Sequence, residues 1–368
     1  MTPPPAGPPA PGRIATGRRP ADGPGGRLLV LRALGLGDLL TAVPALRALR
    51  RAHRDHELVL AAPARLADAV AATRTVDTLL PTTADGRAVP DRLRWTGTPP
   101  DIAVDLHGNG PPSHRVLAAL DPARLLAYAR PGRPGPGPRW REDEHERARW
   151  CRLLRWYGIP ADPGDLRIAP PDRPSPAPGA AVLHPGADAA ARRWPAGRFA
   201  AVARALAAGG HRVVITAGAG EAPLAHAVAG AAGLPSGAVL GGASDLPFAE
   251  LAALVARARV VIAGDTGPAH LATALGTPSV VLFGPVAPRL WGPPPLARHR
   301  VLWHPDSAAA RPGDAHGGRP DARLLRIGVP EVLGAVAAVT GPAAEEEAAH
   351  RPGPGRRKVT HPTTGGSG

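Results

Sequence analysis

The sequence predicts an α/β protein of two doubly wound domains facing each other across a cleft. Three observations carry this. Apolar, β-branched runs alternate with Ala/Leu-rich helical segments; seven prolines between Pro160 and Pro178 divide that alternation into two halves; and the small and polar residues of each half fall directly after its strands. Such sheets are parallel, and they bind ligands at the carboxyl ends of their strands.

The elements follow in order. Leu28 to Arg32 reads as a strand, Leu39 to Ala52 as a helix, Leu58 to Ala61 as a strand, Ala64 to Thr73 as a helix and Ile102 to Leu106 as a strand. Glu142 to Tyr157 carries His145, Trp150, Leu153, Leu154 and Trp156 near helical spacing and reads as an amphipathic helix packed on this domain. Beyond the prolines come a strand at Ala181 to His184, a helix at Arg198 to Ala208, a strand at Arg212 to Thr216 and helices at Ala222 to Ala231 and Phe248 to Ala256. A strand at Val260 to Ala263, a helix at Pro268 to Leu275 and a strand at Ser279 to Phe283 complete the pattern. The domains are therefore 27–160 and 179–340, with 161–178 as a Pro-rich linker. The Pro/Gly-rich ends, 1–26 and 341–368, are expected to be disordered, the second with a basic patch at Arg356, Arg357 and Lys358.

The formal charge of +14 does not imply a nucleic-acid partner. Lys358 is the only lysine, Asn109 the only asparagine and glutamine is absent, so arginine has absorbed the lysine positions through a compositional bias. Aromatic residues total 3%, too few to interleave with the basic ones as base-stacking surfaces. A single cysteine, Cys151, leaves no intrachain disulfide or thiolate metal site and fits a reducing compartment. No run reaches the roughly 18 apolar residues of a membrane span, and the first residues lack a signal-peptide core. The expected location is the cytoplasm.

Chemistry concentrates in the loops after the strands. Ala263-Gly264-Asp265-Thr266-Gly267-Pro268-Ala269-His270 joins a buried strand to a helix, with Asp265 or Thr266 at the helix N-cap. Free backbone N–H groups and the helix dipole at such a corner favour an anion by about 0.3–1 kcal/mol when exposed. The same residues also serve as plain caps. His270, one turn on, faces the same site or bonds a carbonyl in the core. Arg32 to Asp38 contains a partial Gly-x-Gly pattern, but Leu40 stands where a dinucleotide fingerprint has its third glycine. Asp38 is either an N-cap or a carboxylate at the mouth of the cleft, beside Gly37, positioned to take a proton from an alcohol.

Asp105 to Gly110 places His107 and Asn109 after a strand, as cleft lining or as a simple turn. His184-Pro185-Gly186-Ala187 runs on to Arg192 and Arg193, whose guanidinium forks suit a diphosphate or form a solvated basic loop. Glu221 opens a helix after Thr216 to Gly220 and either binds ribose hydroxyls or complements the dipole. Trp291 lines the cleft or packs beneath it.

Gly37-Asp38 with Pro44-Ala45-Leu46, His184 to Ala187 with Arg193-Trp194-Pro195, and Gly264 to His270 with Phe283-Gly284-Pro285 occur in the order and spacing of family nine glycosyltransferases. Over residues 27–340 the chain resembles the ADP-heptose:lipopolysaccharide heptosyltransferases. The resemblance implies a GT-B fold with an acceptor domain first and a nucleotide-sugar domain second. It implies inverting sugar transfer from an ADP-sugar, ADP-heptose in the family's pattern, without metal or other cofactor. By position, Asp38 matches the general base; Thr266 and Gly267 match donor phosphate contacts; Asp265 matches the acid of that motif and Glu221 the ribose residue. Arg192 stands where many members have lysine, so a planar fork replaces a point donor. The implied partners are a nucleotide-sugar donor and a glycan or glycolipid acceptor, with peripheral contact at the inner membrane face if the acceptor is a lipid. A sugar-nucleotide epimerase or other GT-B relative would share the donor corner with different acid and base residues. A noncatalytic nucleotide-binding module would have no use for Asp38.

Overall fold

The framework, seen in a computed structural model that describes residues 14–16, 25–82, 84, 88–129, 136–307 and 313–341, is two six-stranded sheets. The first contains β1 (Ile14–Ala15), β2 (Arg27–Leu31), β3 (Glu57–Ala62), β4 (Thr78–Pro81), β5 (Ile102–Asp105) and β6 (Arg124–Leu126) in the order β1-β4-β3-β2-β5-β6. All its pairs are parallel except β1 with β4. Around it lie α1 (Leu36–Ala52), α2 (Ala67–Thr73), α3 (Pro111–Ala118) and α4 (Glu146–Trp156). The second sheet holds β7 (Ala181–His184), β8 (Val213–Ala217), β9 (Val239–Gly241), β10 (Val260–Gly264), β11 (Ser279–Leu282) and β12 (His299–Leu302). Its order is β12-β11-β10-β7-β8-β9, all parallel. Its helices are α5 (Ala196–Ala208), α6 (Ala222–Ala232), α7 (Phe248–Ala256), α8 (Gly267–Leu275), α9 (Pro288–Trp291), α10 (Ala322–Leu325) and α11 (Val329–Thr340). This is the GT-B fold.

Central strands covered on both faces read as continuous apolar runs, and Leu28 to Leu31 of β2 are fully buried. Strand order reverses between β2 and β5 in the first sheet and between β7 and β10 in the second, which makes these the crevices where doubly wound sheets take ligands. Register aligns Leu31 with Asp105 and Ala263 with His184, so the loops beyond each pair open at the same sheet edge.

Helix α1 begins three residues before the expected Leu39, with Gly35 at its N-cap. Asp38 therefore lies inside the first turn rather than at the cap, and its Oδ2 accepts the Gly35 backbone N–H at 3.2 Å. Leu40 and Val43 of α1 join the apolar cluster that contains Ala269 and Leu271 of α8, so one N-terminal helix packs into the C-terminal core. Helix α4 packs on α1 as the apolar spacing required, with Trp150, Leu153 and Leu154 buried and Trp156 63% exposed.

Two boundaries differ from expectation. Within the segment expected to be disordered, Ile14–Ala15 adds an antiparallel edge strand and Thr16 Oγ1 donates to the Asp77 carbonyl at 3.0 Å. The remaining expected tail residues, 1–13, 17–24 and 342–368, lie outside the described residues. The linker is irregular but fastened on both sides: Asp165 receives Arg47 and Arg51 of α1 at 2.5 Å each, and Ile168 N–H bonds the Ala274 carbonyl of α8 at 3.0 Å.

Candidate active site

The N-terminal wall is built on a buried arginine. Arg32 leaves β2 with 1% exposure, donates through Nε to the Asp38 carbonyl at 3.1 Å, and reaches the Leu106 carbonyl through Nη1. Its Nη2 lies 2.9 Å from Glu146 Oε1, 3.4 Å from Thr41 Oγ1 and 3.5 Å from Asp38 Oδ1. Nothing in the local pattern gave Arg32 or Glu146 a role. The available signal was a charge ending an otherwise aliphatic strand.

Beside it, the β5 loop is organised by Asp105, which is fully buried and accepts the backbone N–H groups of His107 (2.9 Å) and Gly108 (3.2 Å). Burial pushes the Asp105 carboxyl upward. Of the two readings of this loop, Asp105 makes it a stabilised turn. His107 and Asn109 stand half-buried on it, at the strand-end rim.

The C-terminal wall centres on α8. Thr266, not Asp265, holds its N-cap position, and its hydroxyl leaves the helix uncapped, lying 3.4 Å from the Gly264 carbonyl instead. Asp265 Oδ1 accepts from His270 Nε2 at 3.1 Å, so His270 bonds a carboxylate rather than a core carbonyl. The Trp291 ring meets His270 edge-on with centroids 5.9 Å apart. Arg192 reaches the Asp265 carbonyl at 3.3 Å and Asp188 at 3.0 Å, but Asp188 is 89% exposed on its side chain and that pair is weak. The Nε of Arg192 is buried with no acceptor among the described residues.

Arg193 does not join a two-guanidinium clamp. Its Nε and Nη2 both donate to the Ala187 carbonyl, at 2.9 and 2.7 Å, and hold the loop after β7 in place. Farther along the rim, Glu221 Oε2 accepts the Gly218 N–H at 2.8 Å. A Cβ on Gly186 would lie 2.0 Å from that oxygen, so only glycine admits this approach. His184 Nδ1 donates to the Thr216 carbonyl at 3.1 Å, its Nε2 faces Glu221 at 3.9 Å, and burial lowers its pKa.

The two walls touch at their helix starts. A Cβ on Gly37 would stand 2.7 Å from His270 Cδ2, and one on Gly267 would meet Leu36 Cδ2 at 3.4 Å. The start of α4 grips the other domain too, with His145 Nε2 at 3.0 Å and Arg147 Nη2 at 3.3 Å from the Gly292 carbonyl. Asp38, Asp265, Thr266, Gly267, His270 and Arg192 thus gather at one junction. Glu221 and His184 lie further along the same edge of the second sheet. In the N-terminal domain a cavity of about 540 Å³ lies between the 89–93 segment and α3, lined by Val89, Pro90, Leu93 and Val116 with the exposed Asp91, Arg92 and Arg115 at its rim. Among the described residues no helix is long and apolar enough to cross a membrane, and no cluster of three His, Cys, Asp or Glu is placed to hold a metal.

Residues 160–311 match glycosyltransferase family 9 (heptosyltransferase). Over 112 residues the chain is 37% identical to lipopolysaccharide heptosyltransferase 3 of Escherichia coli, covering 30% of this chain and 33% of that protein. The matched stretch thus spans about a third of the length of the curated relatives. The glycosyl transferase family 9 structure from Veillonella parvula DSM 2008 superimposes with a TM-score of 0.68 at 21% identity, over 86% of this chain and 97% of that one. The E. coli ADP-heptose lps heptosyltransferase II gives 0.65 at 19% identity, over 87% and 99%. At these identities the superpositions speak for the fold.

Proposed function

Since residues 160–311 match glycosyltransferase family 9, we propose that the chain is a member of that family and transfers a sugar from an ADP-sugar, heptose in the first instance, to a hydroxyl of a cell-envelope glycan or glycolipid such as lipopolysaccharide. The observation that carries this reading is the contact of Gly37 with His270, which sets a carboxylate on one helix start against an anion-favouring corner on the other.

In this reading Asp38 takes the proton as the acceptor oxygen bonds to the anomeric carbon. The bond from that carbon to the diphosphate breaks on the opposite face, so the configuration inverts. Negative charge builds on the departing phosphate, and the Arg192 guanidinium, the Thr266 hydroxyl and the Gly267 amide receive it. The uncapped start of α8 and the unmet Nε of Arg192 supply the balancing positive charge from the protein itself, which is why we propose a reaction without metal. Glu221 takes the ribose, and the cavity of the first domain, whose rim carries two arginines and one aspartate, takes a polar portion of the acceptor. We place the reaction in the cytoplasm, at the inner membrane face for a lipid acceptor.

Calorimetric titration of the protein with ADP, UDP and GDP, without metal, tests the donor side. Selective ADP binding supports the reading. Preference for UDP or GDP discards the ADP-heptose donor, and no binding discards the transferase.

A further inference from the structure

Arg32 is buried beyond what its place at the end of β2 requires, and the proposed chemistry gives it no part. A buried ion stabilises a fold only when its partners and remaining hydrogen bonds are well met. Here they are met by two carboxylates on separate elements. Glu146, the first residue of α4, holds Arg32 at 2.9 Å, accepts the Trp150 indole N–H on the same oxygen at 2.8 Å, and receives Arg149 on the other at 2.5 Å. Asp38 receives Arg32 at the looser 3.5 Å. Other groups at Asp38 include the Thr41 hydroxyl on its own helix, which donates to the Asp38 carbonyl at 2.9 Å, and the Gly35 N–H on its carboxylate at 3.2 Å, with the Asp265–His270 pair against the neighbouring Gly37.

This asymmetry bears on a base. An arginine fully engaged on a carboxylate depresses its pKa by about 1–3 units and leaves it a poor proton acceptor. We infer that Arg32 and Glu146 are a positioning pair for Asp38: Arg32 anchors the start of α1 from beneath, and Glu146 draws the guanidinium to itself so that Asp38 is oriented without being neutralised. The assignment of Asp38 as base rests on the proposed function; the pairing rests on the contacts alone.

The test is a carbon-13 titration of the Asp38 carboxyl in the full-length, aspartate-labelled protein, with Asp38→Asn giving the assignment. In Glu146→Gln, which keeps the shape of the side chain, Arg32 turns its whole charge to Asp38 and the midpoint falls by about 0.5–1 unit. In Arg32→Gln/Glu146→Gln, which removes both ions together, the midpoint rises above that of the unaltered protein. Shifts in the same direction, or no shift in either variant, overturn the pair. The acid limb of the transfer rate should follow the same midpoints. If the carboxyl shifts and the limb does not, Asp38 is not the base, and the pair stands. If no sugar is transferred at all, the proposed activity falls while the carboxyl titration still decides the pair.

Discussion

Gly37 and His270 belong to different domains, yet a side chain on the first would press to 2.7 Å of the imidazole of the second. The residue after Gly37 is Asp38, and the residue that bonds His270 is Asp265, so this one approach sets the distance between the proposed base and the proposed donor corner. Gly37→Ala is expected to push the helix starts apart. Transfer should fall about 10–10²-fold from misplacement, and stability by about 1–3 kcal/mol from overpacking. Steady-state rates and urea unfolding of the variant measure both.

Asp38→Asn keeps an acceptor for the Gly35 N–H but cannot take a proton. Turnover should drop by about 10²–10⁴ while ADP binding by calorimetry stays within error. Loss of ADP affinity in this variant would move Asp38 to the donor wall.

Arg192 and Arg193 are neighbours with opposite expectations. Arg192→Gln removes the guanidinium whose Nε is unmet, and turnover should fall about 10²–10³-fold with nucleotide affinity reduced and the melting temperature little changed. Arg193→Gln strips two donors from the Ala187 carbonyl and should cost about 1–3 kcal/mol of stability. Thermal melts alongside ADP titrations separate the two.

His145 at the domain junction and His299 at the start of β12 are both lowered to about 4, chiefly by burial. A histidine kept neutral in the fold but protonated near 6.5 when unfolded contributes stability that is complete above that value and lost as the pH falls toward 4. At about 1.4 kcal/mol per unit, each contributes at most about 3.5 kcal/mol, less for the solvent that still reaches it. Urea unfolding at pH 7, 5.5 and 4 should show a decline confined to that window. His145→Asn, which retains a capping side chain for α4, should shrink it.

Much of the fold was legible because its signals are local. The apolar runs of β2, β7 and β10 and the Ala/Leu segments of α5, α7 and α8 declare themselves within a few residues. The edge strands β1, β6, β9 and β12 escaped, as did the short β4 between β1 and β3, since two to four residues become a strand only through the neighbours they pair with. The same distinction runs through the site. Asp38 and Thr266 were visible beside glycines at helix starts, but which cap position each holds depends on where the helix begins, and α1 begins at Leu36 through a turn that Arg32 anchors.

By itself, then, the sequence determined two alternating halves, the strand-end loops that carry the chemistry, and the family motifs within them, because periodicity, turn residues and spacing are properties of neighbouring positions. Only the tertiary structure decided that Arg193 holds a carbonyl rather than a ligand, that Arg32 meets Glu146 across 114 positions, and that Gly37 meets His270. Those contacts are set by how two sheets and their helices pack, and a hydrogen-bonding fork or a missing Cβ has no partner until packing brings one.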